Sequence, residues 1–479
     1  MSGKLTFASL GQMGGVAYGQ RKAPHRSWDP RRAKGATQLA QALALHTAGN
    51  ADAAAEIYMR LEADYSPHWH ARMLGGLLHY ERTSDPTEVI PLLQGVCEAL
   101  PKWPDPFYNL GVVHEGLGDY ENAERFFRKC LAIEPNHAPA WVNLGNVRIG
   151  LGDVVEADTC FAHALRIDPG SPLGLYNLMH VRGLQGRWAE CYHLHELRWL
   201  TPGHLRAHGL PRQVPPWDGI TPVEHLIVSD EQGCGDIIQF SRFLPLLRER
   251  SGATRVTCTI RHPSLIPLLE YNFPDVECVA HKSDTAPEAD AHIPLLSIID
   301  RLKITEADVE SGSGAYLKAS VRLVMATRRP VVGVCWAGSP MHKRDKVRSI
   351  PWDAFRPLLD MMPHVTWVNL TLNERGGVSF DGGALLDVRD RCTDYLASAS
   401  LFESLDAVVT VDTSTLHLAG ALGVPTLALI PAAPDFRWGL NRTDTPWYAS
   451  VELIRQAKAG DWSGVMLQAQ QRLTAILAE

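Results

Sequence analysis

Residues 105–138 read DPFYNLGVVHEGLGDYENAERFFRKCLAIEPNHA, and residues 139–172 answer with PAWVNLGNVRIGLGDVVEADTCFAHALRIDPGSP. Phe107 and Trp141, Leu110 and Leu144, Gly111 and Gly145, Ala123 and Ala157, Phe127 and Phe161, and Pro135 and Pro169 are each 34 residues apart. Apolar residues recur at helical spacing on either side of a Gly-Asp turn, so each unit reads as two amphipathic helices. Such a pair cannot bury its apolar faces alone, and stacked pairs build one continuous core. Gly111 and Ala123 are small enough for paired helices to approach closely. Pro135 and Pro169 end the second helix of each unit.

This period and residue pattern resembles the tetratricopeptide repeat. Weaker copies flank the two strong ones. Residues 36–67 keep the turn AGN and an Ala-rich helix, whereas residues 68–101 are irregular, with Pro86 and Pro91 breaking the pattern. Residues 175–200 lack the Leu-Gly pair and read as a capping helix pair. The expectation is a helical solenoid over 35–200 of about five units. Solenoids of this kind bind peptides or proteins, or merely pack.

Other features bound the answer. The chain has 479 residues and is 45% hydrophobic, which suits several globular domains. Its apolar runs are too short to span a bilayer, and its Gly-rich start lacks the shape of a signal peptide. Nine scattered cysteines without metal-type spacing read as reduced thiols, with neither a zinc site nor a disulfide framework. The expected location is cytoplasmic. A net charge of −7 makes nucleic acid an unlikely partner. Residues 1–34 differ, with seven Lys and Arg against Asp29 alone. They read as a basic, unstructured arm, the alternative being an arm that touches a polyanion.

A Pro- and Gly-rich linker is expected over 201–222, where the text reads TPGHLRAHGLPRQVPPWDGIT up to Thr221. Beyond it, short β-rich runs alternate with helical stretches, which argues for parallel sheets covered on both faces. Two such series, 223–325 and 326–479, suggest two Rossmann-like domains facing across a cleft. The fold class is therefore α + α/β. Ligands of such sheets sit outside the C-terminal strand ends.

Four stretches carry candidate chemistry. In VDTSTLHLAGALG, Asp412 ends a strand, Thr413 and Ser414 sit where a helix begins, and His417 shares their face. A helix start suits phosphate, and a carboxylate beside it suits sugar hydroxyls; a well-capped helix with a satisfied His is equally compatible. In EQGCGDIIQF, Gly233 and Gly235 permit close approach of a ligand, and Asp236 is either a general base or a helix cap. In CWAGSPMHKRDKVRSIP, Trp336 ends a strand, followed by Gly338, Ser339, Lys343 and Arg348, and all five are candidate donor-binding residues at the cleft. This loop is a diphosphate clamp or a solvated basic loop. Trp438, Trp447 and Tyr448 either stack on a base or sugar, or pin the C-terminal segment to the sheet.

Taken together, EQGCGDIIQFSRFLPLL, VCWAGSPMHKRDKVRSIP, VTVDTSTLHLAGALGVPTLALIP, DFRWGLNRTDTPWY and VELIRQ resemble, in this order, a bacterial glycosyltransferase family with fused tetratricopeptide repeats. The family is of the flagellin glycosyltransferase type. Its catalytic half is related to heptosyltransferases and, more distantly, to protein O-GlcNAc transferases. The resemblance implies a GT-B fold and inverting transfer from a nucleotide-sugar without a metal or other cofactor, and no DxD triplet is present. It implies that Asp412 contacts the donor sugar, that Thr413, Ser414 and His417 lie on the phosphate side, that Lys343 and Arg348 neutralise the leaving group, and that Asp236 is the base. Ser414 departs from the glycine common in heptosyltransferases. The implied partners are a nucleotide-sugar donor and a protein or peptide acceptor on the repeats. Two other readings stay open: a non-catalytic repeat protein with a degenerate scaffold, and a glycosyltransferase acting on a modified nucleic-acid base or a glycan.

Overall fold

The structure, a computed structural model, describes residues 35–200, 214–281, 288–323, 330–342 and 344–478. The expected basic arm, most of the linker, and Lys343 lie outside the described residues. The chain forms two compact units that divide between Val181 and Arg182.

The first unit is a helical solenoid. Its helices are α1 (Ala36–Thr47), α2 (Ala51–Asp64), α3 (Trp69–Thr83), α4 (Pro86–Ala99), α5 (Pro104–Gly116), α6 (Tyr120–Ile133), α7 (Ala138–Gly150), α8 (Val154–Ile167) and α9 (Pro172–Leu184), which runs past the division. The 34-residue period is visible in the backbone. Gly118, Gly152 and Gly186 turn the chain at φ of 73°, 85° and 77°, a left-handed conformation that glycine adopts without steric cost. Asp119 and Asp153 follow as N-caps, accepting bonds from the Asn122 and Glu156 amides. The expected irregularity at 68–101 resolves differently. Pro86 opens α4 at its first turn, where a missing N–H costs nothing, and Pro91 is carried inside the helix.

Close approach within each pair depends on glycine. A Cβ on Gly111 would lie 2.5 Å from the Phe127 ring, and one on Gly145 would lie 2.5 Å from the Phe161 ring. Both phenylalanines are fully buried.

The second unit contains α10 (Trp188–His195) and two parallel sheets. The segment 188–200, expected in the solenoid, belongs here because Trp188 and Tyr192 are buried in the core beside the sheets. The first sheet contains β1 (His225–Ser229), β2 (Arg255–Ile260), β3 (Val276–Ala280) and β4 (Ala291–Pro294) in the order β3-β2-β1-β4. Its helices are α11 (Cys234–Ser241), α12 (Leu244–Ser251), α13 (Ile266–Asn272), α14 (Ile298–Leu302) and α15 (Glu306–Ser311). The run IIQFSRFLPLLRER has the apolar spacing of one helix but breaks at Arg242–Phe243, and Pro245 lies in the first turn of α12.

The second sheet contains β5 (Val331–Cys335), β6 (Thr366–Asn369), β7 (Leu385–Asp387), β8 (Ala407–Val411), β9 (Thr426–Ile430) and β10 (Val451–Arg455) in the order β10-β9-β8-β5-β6-β7. Helices α16 (Asp345–Arg348), α17 (Trp352–Asp360), α18 (Tyr395–Phe402), α19 (Ser414–Leu422) and α20 (Ser463–Ile476) accompany it. All pairings in both sheets are parallel. Strands β5, β8 and β9 are buried throughout, as strands covered on both faces must be. In each sheet the strand order reverses once, between β1 and β4 in the first and between β5 and β8 in the second. Such reversals open a crevice at the C-terminal strand ends.

Gly145→Val forces a branched side chain against Phe161. We expect a loss of about 1–3 kcal/mol, read as a lower denaturant midpoint with an unchanged m-value.

Candidate functional site

The crevice between β5 and β8 gathers most of the residues singled out from the sequence. Past β8, Asp412 is followed by Thr413, the N-cap of α19, in extended backbone at φ −143°. Among the described residues the Thr413 hydroxyl makes no capping bond; it lies 3.8 Å from the Cys335 sulfur at the end of β5. Ser414 Oγ accepts a bond from the Tyr395 hydroxyl at 3.0 Å. Arg348 donates from Nη1 to the Asp412 carbonyl at 2.8 Å.

Gly338 closes the opposite side. A Cβ there would come within 2.6 Å of Arg348 Nη2 and 3.0 Å of Thr413 Cγ2, so a larger residue would push the Arg348 guanidinium aside. Its N–H donates to Ser349 Oγ at 3.0 Å, and its carbonyl accepts from Asn373 Nδ2 at 2.7 Å. Buried Asp345 anchors this loop through Ser349 and Arg375. Ser339 and His342 are both exposed, and the His342 pKa is lowered by partial desolvation and then by Arg348 and Arg344. Arg344 ties the loop to the segment after β9 through the carbonyls of Ala433 and Pro434.

The first sheet presents the start of α11 to the same region. Asp236 caps that helix, with Oδ2 accepting from the Gly233 amide at 3.1 Å. Its Oδ1 accepts from Arg437 Nη2 at 2.8 Å. A Cβ on Gly235 would lie 2.6 Å from His417 Cδ2, so the two helix starts meet in direct contact.

Arg437 was not singled out from the sequence, yet it organises the cluster. It pairs with Asp236 and, through Nε at 3.1 Å, with Asp435. Burial opposes its charge, but Asp435 and Asp236 more than offset that and hold its pKa well above the usual arginine value. Burial and then Asp435 push Asp412 above the ordinary carboxylate range, while Arg437 and Arg348 pull it back. The only sequence signal for Arg437 was a cation in a Trp-dense loop after a strand.

Several expectations need correction. The Trp336 side chain does not face the crevice; it is buried against Trp352 and Phe355, with ring centroids 4.8 and 5.7 Å away. Trp438 and Trp447 are fully buried and cannot stack on a ligand. Trp447 packs edge-on against Trp188 at 5.2 Å, which is the pinning role. His417 is not a phosphate contact. Its Nδ1 lies 2.8 Å from the Tyr448 hydroxyl, and burial followed by Arg437 drives its pKa far down, so the ring is neutral packing between the sheets. Asp412, Thr413, Ser414, Arg348 and Gly338 lie together at this strand end and helix start.

Among the described residues no group of three or more His, Cys, Asp or Glu is arranged to hold a metal ion. No described helix is long and apolar enough to cross a membrane.

The helical unit is of the tetratricopeptide repeat class: that family matches residues 104–137 and 138–171. Among particular proteins, the chain is similar to Protein FlbA of Caulobacter vibrioides, 26% identical over 275 residues, covering 51% of this chain and 45% of that protein. The chain thus spans about half the length of this curated relative. Similar solved structures include MamA of Desulfovibrio magneticus RS-1 (14% identity, TM-score 0.31, 35% of this chain and 97% of that one). A thermophilic repeat protein of Thermus thermophilus is similar to the same extent (16% identity, TM-score 0.31, 35% and 91%).

Arg437→Met leaves Asp236, Asp435 and Asp412 without their shared cation. We expect a loss of about 3–5 kcal/mol near pH 8. The Asp412 carboxyl is already raised by burial and by Asp435, and without Arg437 it is raised further, which costs stability as pH rises above its unfolded value. The deficit should therefore shrink toward pH 5, as denaturant titrations at both pH values would show.

Proposed function

We propose that this chain is an inverting glycosyltransferase of the two-lobed GT-B type. It moves a sugar from a nucleotide-sugar to a hydroxyl of a protein acceptor recruited by the repeats. The observation that carries this reading is the convergence of Asp412, the open start of α19, Arg348 and Gly338 on the strand-order reversal of the second sheet, with Asp236 of the first sheet beside them.

The chemistry follows from the charges. The acceptor oxygen attacks the anomeric carbon from the face opposite the leaving group. The bond to the phosphate oxygen breaks, and its electron pair departs with the phosphate. The acceptor proton goes to Asp236, whose two oxygens each carry one bond and retain a free lone pair. The amides at the start of α19 and the Arg348 guanidinium stabilise the departing phosphate. Lys343, expected to assist, lies outside the described residues. Asp412 stands beside this helix start, where its carboxyl can hydrogen-bond sugar hydroxyls.

One observation favours a second reading. Both Asp236 oxygens are already engaged, as a purely structural cap and ion pair would require, which suits a repeat-bearing interaction protein. The repeats themselves support binding of protein or peptide partners.

Asp236→Asn separates the two. Under glycosyl transfer, donor-dependent turnover falls about 10²–10⁴-fold while donor affinity stays nearly unchanged. A thermal-shift screen of nucleotide-sugars identifies the donor first, since a ligand at 100 times its Kd adds about 2.7 kcal/mol of apparent stability. Release of no nucleotide from any donor by the wild-type chain would favour the interaction protein.

A further inference from the structure

The first sheet has its own strand-order reversal, between β1 and β4, and that crevice is already filled. The occupant is Arg198, from the segment that follows α10. Its Nε donates to Glu231 Oε2 at 2.7 Å and its Nη2 to Glu231 Oε1 at 2.6 Å, a two-pronged pair. Nη2 also reaches Ser297 Oγ at 3.0 Å, and Nη1 reaches Glu196 Oε1 at 2.8 Å and the His195 carbonyl at 2.9 Å. Ser297 in turn donates to Glu196 at 2.7 Å.

The placement gives these contacts their meaning. Glu231 lies two residues beyond the end of β1, and Ser297 three beyond the end of β4. The guanidinium thus sits at the C-terminal ends of the two strands that flank the reversal, where a doubly wound sheet would otherwise receive a ligand. The Glu231 side chain is 0% exposed and that of Arg198 is 8% exposed, so this is a closed internal pair. Glu231 also stands two residues before Gly233, whose amide is capped by Asp236.

We propose that Arg198 is a positioning residue: it occupies the crevice of the first sheet in place of a ligand and, through Glu231, holds the glycine loop that presents Asp236. The kinetic part of this inference rests on the glycosyl-transfer reading; the clamping of the loop does not. A small molecule is accordingly expected at the second sheet's crevice only.

Cys234, next to Gly233 and partly exposed, reports on the loop without reference to activity. Cys392, also partly exposed and outside the loop, serves as the internal reference, and the other seven thiols are buried. The experiment measures maleimide labelling of both cysteines in the full chain, with Cys234→Ser as the assignment control, together with donor-dependent turnover. In Arg198→Met, Cys234 labelling should rise about tenfold or more with Cys392 unchanged, and kcat should fall while donor KM holds. Arg198→Lys keeps the charge and loses the fork, so it should be intermediate. If the methionine variant does not fold, Arg198→Lys and Glu231→Gln provide the same readings.

Unchanged Cys234 labelling in a folded variant overturns the clamp. Equal acceleration at both cysteines also overturns it, because that is general loosening. Faster Cys234 labelling with unchanged kcat overturns the positioning of Asp236. No nucleotide release by the wild type, combined with selective Cys234 acceleration in the variant, overturns glycosyl transfer and leaves the clamp standing.

Discussion

One largely buried cation, Arg437, links the two sheets where they meet. It faces Asp236 from the first sheet and Asp435 from a loop of the second, with Asp412 close enough to feel its charge. Removing these groups from water is costly, and only well-formed pairing offsets that cost. Asp236 and Arg437 are 201 residues apart in the chain, so the pair ties one sheet's segment to the other's. The contact of Gly235 with His417 imposes the same condition sterically. Charge pairing and close packing thus meet at one seam, and the proposed chemistry lies along it.

Much of the fold could be read from the residues. The 34-residue period located helix pairs, turn glycines and close contacts, because local packing repeats whenever the residues repeat. The longer strands were recognisable as continuous apolar runs. β4, β7 and β10 were not assigned: AHIP and LLD are too short to differ from loop text without their neighbours, and VELIR, as long as most other strands, was left with the aromatic loop before it. Trp336 was placed in the cleft although strand parity pointed the other way. Val332, Val334 and Trp336 alternate onto one face, and all three lie in the core beneath the sheet.

The site was legible where function follows local backbone geometry, as at Asp412, Thr413, Ser414 and Gly338, which stand at a strand end or helix start. It was not legible where it depends on long-range ion pairs. The pairings that matter most, Arg437 with Asp236 and Arg198 with Glu231, carry no spacing signature, because they span 201 and 33 residues. Trp438 and Trp447 illustrate a related ambiguity: an aromatic-rich loop reads the same whether its rings fill a core or line a pocket.

The aromatic contacts of α10 bear on where this chain can be cut. Trp188 and Tyr192 lie against Phe436, Trp447 and Phe240, and all but Phe436 are buried. Truncation at the proline-rich stretch, the obvious place to separate repeats from sheets, would strip this helix away and bare a wide greasy surface. A fragment made that way would be prone to self-association. The workable seam for genetic dissection is upstream of Trp188, so that α10 travels with the sheets whose core it completes.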